Sequence, residues 1–416
     1  MVERVRIRGG RRRAAAAVLA ALLCAAGCSA PADRAPDGAA RGVRATLDRR
    51  AAAVLHHDPA AYAAAVAPDA TALRTAQRRE IARLADVPLG SWAYRLTHLT
   101  PHGADRVIAD VTLGYRIAGY DSAPVSVDRV VDLARDPADG RWYVTADRAA
   151  DGSAGQLWEQ GDVEVVHGKH SLVLGVGRTR DELDTIAATA DEAVPAVSAA
   201  WPERWAGRVV VLVPDSVTEM GRLLGSPASN YKGIAAVTTG ETGETGGTGK
   251  APADRVIVNP EAYALLGGFG QRVVLTHETA HVATRKRTSS ATPTWLSEGF
   301  ADWAAYRDQD RTAEEIAPEL ADAVRAGDVP AGLPEDEDFA FAGDADRLAK
   351  AYEGGWLACE LIADRWGEEK LFAFYRAVGA HHGRDGAVED ALHEVLGATP
   401  QDFTARWRVY LRDRLG

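Results

Sequence analysis

Two histidines four residues apart with a glutamate beside the first, His277, Glu278 and His281 in H-E-T-A-H, are the residues of this chain best equipped for chemistry. On a helix, positions i and i+4 lie about 40° apart around the axis and about 6 Å along it, so both imidazoles reach one ion. The pattern H-E-x-x-H offers two neutral nitrogen ligands for zinc and a carboxylate that can take a proton from water at the metal. With 11 His in 416 residues, the pattern arises by accident roughly 0.02 times in a chain of this composition, the false-positive risk such motifs carry. Val274, His277, Glu278 and His281 share one helical face, and no Gly or Pro interrupts residues 271 to 290.

A catalytic zinc needs a third protein ligand and an open fourth position. Glu298 follows His281 within T-P-T-W-L-S-E-G-F-A-D-W. Thr292 and Pro293 read as a helix start, a hydroxyl cap followed by proline at the first helical position. Trp295, Phe300 and Trp303 would anchor that helix in a core. Glu298 and Asp302, four apart, share a face, so one carboxylate can bind metal while the other orients a ligand histidine. The bland reading is a solvated acidic face.

H-E-T-A-H followed by W-L-S-E-G-F-A-D-W resembles the gluzincin metallopeptidases, the thermolysin-like and aminopeptidase-like branch whose third ligand is a glutamate on the next helix. The resemblance implies zinc on His277, His281 and Glu298, Glu278 as general base, and Asp302 behind His277. It also implies a tyrosine or histidine in the downstream helical lobe that donates to the developing oxyanion. Tyr352, in A-Y-E-G-G-W, is the candidate, and its competing reading is a core aromatic beside Trp356. The G-x-M-E-N segment by which aminopeptidases of the branch hold a free amine is absent: the two methionines are Met1 and Met220.

The elements that must position this site come from a chain that reads as exported. Six arginines among residues 4 to 13 precede an apolar stretch, Ala14 to Ala26, too short to span a bilayer stably. It ends in A-A-G-C, which resembles the bacterial lipobox, with Ala25 where leucine is usual. Acylation of Cys28 would anchor the protein at the outer face of a membrane; cleavage as an ordinary signal is the alternative. Without residues 1 to 27, which hold six Arg and one Glu, the chain has 42 basic and 58 acidic side chains, a balance of −16. Such a chain lacks the basic footprint of a nucleic-acid binder. Cys24 leaves with the signal and Cys28 would carry lipid, so Cys359 has no partner and no disulfide framework exists.

The expected fold is α+β in two parts. Residues 29 to 41, rich in Ala, Pro, Asp, Gly and Arg, read as a tether. Residues 42 to 150 give helices first (Leu47 to Tyr62, Leu73 to Leu84), then strands at Trp92 to Leu99, Val107 to Ile117, Val125 to Ala134 and Trp142 to Ala146. This order resembles the cone-shaped domains of nuclear transport factor 2, a helix-plus-antiparallel-sheet module. His56, His57, His98 and His102 lack ligand spacing and read as surface or structural residues.

The second part, residues 157 to 416, starts with a hairpin around H-G-K-H, then a helix over Thr179 to Ala200 and strands at Arg208 to Val213, Ile234 to Thr239 and Arg255 to Val258. Ile234 to Thr239 is the candidate edge strand along a cleft, where an extended peptide adds by β-pairing. The Gly-rich residues 240 to 250 read as a tolerated surface insertion. Helices over Thr312 to Ala326, from Ala349 on, over Lys370 to Val378 and over Pro400 to Leu415 close a lobe, with an acidic P-E-D-E-D loop among them.

The function implied is a membrane-anchored extracytoplasmic zinc metallopeptidase acting on a peptide or protein substrate. The competing class is a lipid-tethered cell-envelope binding or assembly protein with a structural or vestigial zinc site; a metal-dependent activity screen separates them.

Overall fold

The computed structural model describes residues 37–241, 243, 251–340 and 344–416. The expected export signal, Cys28, most of the expected tether and most of the Gly-rich insertion lie outside the described residues. Within them the chain is a mixed α+β structure with a four-stranded antiparallel sheet, a five-stranded mixed sheet and a helical C-terminal lobe.

The first helix, Asp37–Leu55, begins inside the stretch expected to be tether. Ala39, Val43 and Leu47 recur on one face and are buried against Val107, Val111 and Val131, so burial rather than linker composition decides where order starts. Helices Pro59–Ala64 and Thr71–Ala82 follow. The strands β1 (Leu89–Pro101), β2 (Arg106–Ile117), β3 (Val125–Arg135) and β4 (Trp142–Ala149) form an antiparallel meander in chain order. Alternation predicts this well: Val107, Ala109, Val111, Leu113, Tyr115 and Ile117 of β2 all point inward.

In the second unit β5 (Val163–His167) and β6 (Ser171–Val176) are an antiparallel hairpin. Thr179 caps the Arg180–Ala200 helix reciprocally with Glu182, and β7 (Val209–Val213) returns parallel to β6. The strands β8 (Ala236–Gly240) and β9 (Asp254–Val258) complete the order β5-β6-β7-β9-β8, which leaves β8 at the sheet's edge.

This sheet is covered on both faces, which is why S-L-V-L-G-V and V-V-V-L-V are continuous apolar runs rather than alternating ones. Val173, Val211 and Val256 face the Arg180–Ala200 helix, Leu275 and Val274. Leu172, Leu174 and Val210 face the other way, into one cluster with Trp92, Tyr115 and Trp158. The N-terminal meander and the second sheet therefore share a core. Trp158 stands edge-on to Tyr115 with centroids 5.1 Å apart.

A buried ion pair locks that joint. Both Asp121 carboxylate oxygens accept from Arg255, at 2.7 and 2.8 Å, and Asp121 Oδ2 also accepts from the Ile117 amide at 2.7 Å. Removing one member of such a pair strands the other's charge in the interior, at a cost of about 3–5 kcal/mol. Asp121→Asn is expected to lower the unfolding free energy measured by urea denaturation by that much; a loss under about 1 kcal/mol would show the pair to be solvated.

The helical lobe departs from expectation at one place. Thr312 to Ala326 is two helices, Ala313–Ile316 and Pro318–Arg325, because Pro318 removes an amide and pushes Ala317 out of helical geometry to φ −120°, ψ 59°. In the terminal helix Pro400–Leu415, Phe403, Trp407 and Leu411 are core, and the half-buried Tyr410 donates to Asp364.

Candidate metal centre

The H-E-x-x-H helix runs Gly268–Thr284 and the next helix Thr294–Tyr306. Thr292 does not cap the second one. Pro293 holds the cap position, Thr292 Oγ1 accepts from the Ser289 amide instead, and the first free amide, Thr294 N–H, is taken by Asp336 Oδ1 at 3.0 Å. Asp336 comes from the acidic loop and is itself paired with Arg384. Burial would raise its pKa, but the Thr294 amide and Arg384 outweigh that and hold it below the usual carboxylate range.

Trp295, Phe300 and Trp303 are buried, as anchors should be, and turn Glu298 and Asp302 toward the first helix. The four critical distances then follow. His277 Nδ1 lies 2.7 Å from Asp302 Oδ1, so in the neutral ring that a metal requires that nitrogen donates and Nε2 carries the lone pair. His281 Nε2 lies 3.1 Å from His277 Nε2, and Glu298 Oε2 lies 3.2 Å from His277 Nε2 and 3.3 Å from His281 Nε2.

Three acceptors thus form a nearly equilateral triangle. Ligands about 2.0–2.1 Å from a tetrahedral zinc sit about 3.3–3.4 Å from one another, so the residues present fit the ion. Charge agrees with geometry. Burial alone would lower the pKa of His277, but Asp302 and Glu298 on its two sides overcome it and hold the ring well above the usual imidazole range. Burial would likewise raise the pKa of Glu298, and the two histidines hold it well below the carboxylate range. A place that favours a proton this strongly favours a cation.

Glu278 is 7 % exposed and its carboxylate faces the edge strand, where Thr238 Oγ1 lies 2.6 Å from Oε2 and 2.9 Å from the Glu278 carbonyl oxygen. Thr238 is a functional neighbour that sequence reasoning did not single out. The only signal for it was its place in the strand picked for the cleft edge.

Tyr352 arrives from the Ala345–Trp366 helix, in its interior rather than at its start. Two glycines let that helix approach: a Cβ on Gly299 would sit 2.2 Å from the Gly355 oxygen, and one on Gly355 would sit 2.7 Å from the Trp295 oxygen. The Tyr352 ring packs 6.2 Å from His277 and 5.2 Å from Phe339, centroid to centroid. Burial first, then Glu298, Asp302 and Glu278, push its pKa well above the normal phenol value, so the hydroxyl keeps its proton and remains a donor.

Next to it, Glu353 caps the Pro318–Arg325 helix by accepting from Leu320 N–H at 2.7 Å. Burial, with Glu319 adding to it, pushes its pKa from 4.5 up to about 9. A folded value above the unfolded one stabilises the fold fully below about pH 4.5 and is lost as pH rises through about 9. Melting temperature should therefore fall between pH 6 and 9, and less steeply in Glu353→Gln. Equal slopes would contradict the assignment.

Of the residues expected at the site, His277, Glu278, His281, Glu298, Asp302 and Tyr352 come together, and Cys28 lies outside the described residues. His277, His281 and Glu298 are a group that could hold a metal ion. His56, His57, His98 and His102 are exposed and belong to no such group among the described residues.

No family model matches the chain, and no curated protein does. Among solved structures it is similar to native yeast LTA4 hydrolase, at 13% identity and a TM-score of 0.35, over 68% of this chain and 44% of that one. The chain thus spans less than half the length of that structure.

Proposed function

We propose that this chain is a zinc metallopeptidase, anchored by lipid on Cys28 to the outer face of a bacterial membrane. The observation that carries the reading is the triangle of His277 Nε2, His281 Nε2 and Glu298 Oε2, with edges of 3.1 to 3.3 Å, beside the carboxylate of Glu278. Zinc bound there would supply Lewis acidity, bringing the pKa of water toward neutrality and polarising a carbonyl.

The remaining steps belong to the chain. Asp302 fixes the tautomer and plane of His277. Glu278 takes the proton of the attacking water and hands it to the departing amine nitrogen. The Tyr352 hydroxyl donates to the carbonyl oxygen as negative charge gathers on it. The free side of β8 offers backbone donors and acceptors to an extended peptide.

The anchor rests on the arginine-rich start, the Ala-rich stretch and A-A-G-C. No helix among the described residues is long and apolar enough to cross a membrane. The N-terminal unit we read, from its element order, as similar to nuclear transport factor 2.

The test is hydrolysis of a mixed peptide library by the protein from residue 29 onward, with and without one equivalent of zinc. Zinc-dependent cleavage is expected. Zinc binding without any cleavage would favour a structural metal in a binding protein.

A further inference from the structure

The Thr238 hydroxyl stands between two oxygens of one residue, 2.6 Å from the Glu278 carboxylate oxygen Oε2 and 2.9 Å from the Glu278 carbonyl oxygen. We infer that Thr238 is the positioning residue of the general base: it holds the carboxylate by Oε2 and leaves Oε1 for the attacking water. This rests on the metallopeptidase reading. Three observations carry it.

The first is the length of the contact. A hydroxyl bonded to an ionised carboxylate sits about 2.5–2.7 Å from it, closer than neutral partners do. The Thr238 contact is of that kind. One hydroxyl proton serves two acceptors here, so the carboxylate takes the stronger share and the carbonyl oxygen the weaker.

The second is what the hydroxyl joins. A glutamate side chain turns about three bonds, and each turn moves its carboxylate relative to its own helix. Thr238 ties the carboxylate of Glu278 back to the main chain of the same residue. Any swing of the base therefore breaks the contact that closes this clip.

The third is the stiffness of the holder. Thr238 pairs with Val256 in the β8–β9 ladder, and its β-branched side chain has restricted χ1 freedom. The strand β9 is fixed in turn, by Arg255 on Asp121 and by Asp254, which accepts at 2.7 Å from Arg285 just past the H-E-x-x-H helix. The clip thus joins a strand and a helix already held against each other, and the base inherits their rigidity.

A threonine that merely pinned strand to helix would show in melting temperature and zinc retention. One that positions the base shows in kcat. Thr238→Val keeps a β-branched strand residue and the backbone groups of β8, so stability, zinc content and KM should change little. Its kcat for peptide hydrolysis should fall about 10–100-fold, the range for losing an orienting contact or misplacing a reacting group. Thr238→Ser, which restores the hydroxyl, should return kcat to within about threefold of wild type. In the Glu278→Gln background Thr238→Val should cost less than about twofold more, because a residue that acts through the base has nothing left to position.

A readout without turnover is the affinity of the zinc-loaded protein for acetohydroxamic acid, whose O–H proton needs an acceptor beside the ion. Affinity should drop about tenfold in Thr238→Val and recover in Thr238→Ser. Wild-type kcat in Thr238→Val, no recovery with serine, a full further loss on top of Glu278→Gln, or hydroxamate affinity indifferent to the hydroxyl would each overturn the assignment. No cleavage by the wild type, beside hydroxamate binding that depends on the hydroxyl, would instead sink the peptidase reading and leave the clip on Glu278 standing.

Discussion

Glu278→Gln is expected to keep zinc at one equivalent while lowering kcat for peptide hydrolysis by a factor of about 10²–10⁴. The substitution is close to isosteric. The amide oxygen still accepts from Thr238, which sits 2.6 Å from the native carboxylate, so the side chain should stay where it is. None of the three converging donor atoms belongs to Glu278, so metal retention should not change. What is lost is the ability to take a proton from water and return it to the amine. Because that role is exercised in the transition state, kcat should fall with little change in KM. A zinc-loaded variant with wild-type turnover would remove Glu278 from the mechanism.

His281→Ala is expected to purify without zinc under conditions where the wild type retains it. Two donors remain, His277 Nε2 and Glu298 Oε2, 3.2 Å apart, and catalytic zinc sites use three. Asp302→Ala should be milder, weakening zinc about 10–100-fold, since it removes the partner of His277 Nδ1 rather than a ligand atom. Chelator competition measures both. Stoichiometric zinc in His281→Ala would refute the ligand set, and equal affinity in Asp302→Ala would refute the orienting contact.

The parts of the site legible in the sequence are those set by helical spacing. His277 with His281, and Glu298 with Asp302, are i, i+4 pairs whose shared face needs no knowledge of the rest of the fold. The strands of the meander were legible from local pattern too, since every second residue of β2 from Val107 to Ile117 is apolar and buried. What escaped depends on contacts between distant segments. Thr238 reaches Glu278 across 40 residues, and Asp336 caps the Glu298 helix across 42. Neither residue looks unusual in its own stretch. The acidic loop reads as solvated until Thr294 and Arg384 are placed beside it. The shared core was hidden because Trp92, Tyr115 and Trp158 each look like the core aromatic of their own unit. The break at Ala317 could have been read, because Pro318 cannot continue a helix.

The central claim is that one zinc ion is held by two imidazoles and one carboxylate with a corner left for water. Zinc K-edge X-ray absorption of the protein loaded with one equivalent tests it most directly. Two imidazole nitrogens and two oxygens at about 2.0–2.2 Å are expected, with one oxygen shell member exchanged when a hydroxamate is added. A spectrum with four protein-derived ligands that no hydroxamate perturbs, or one unchanged in Glu298→Ala, would contradict it.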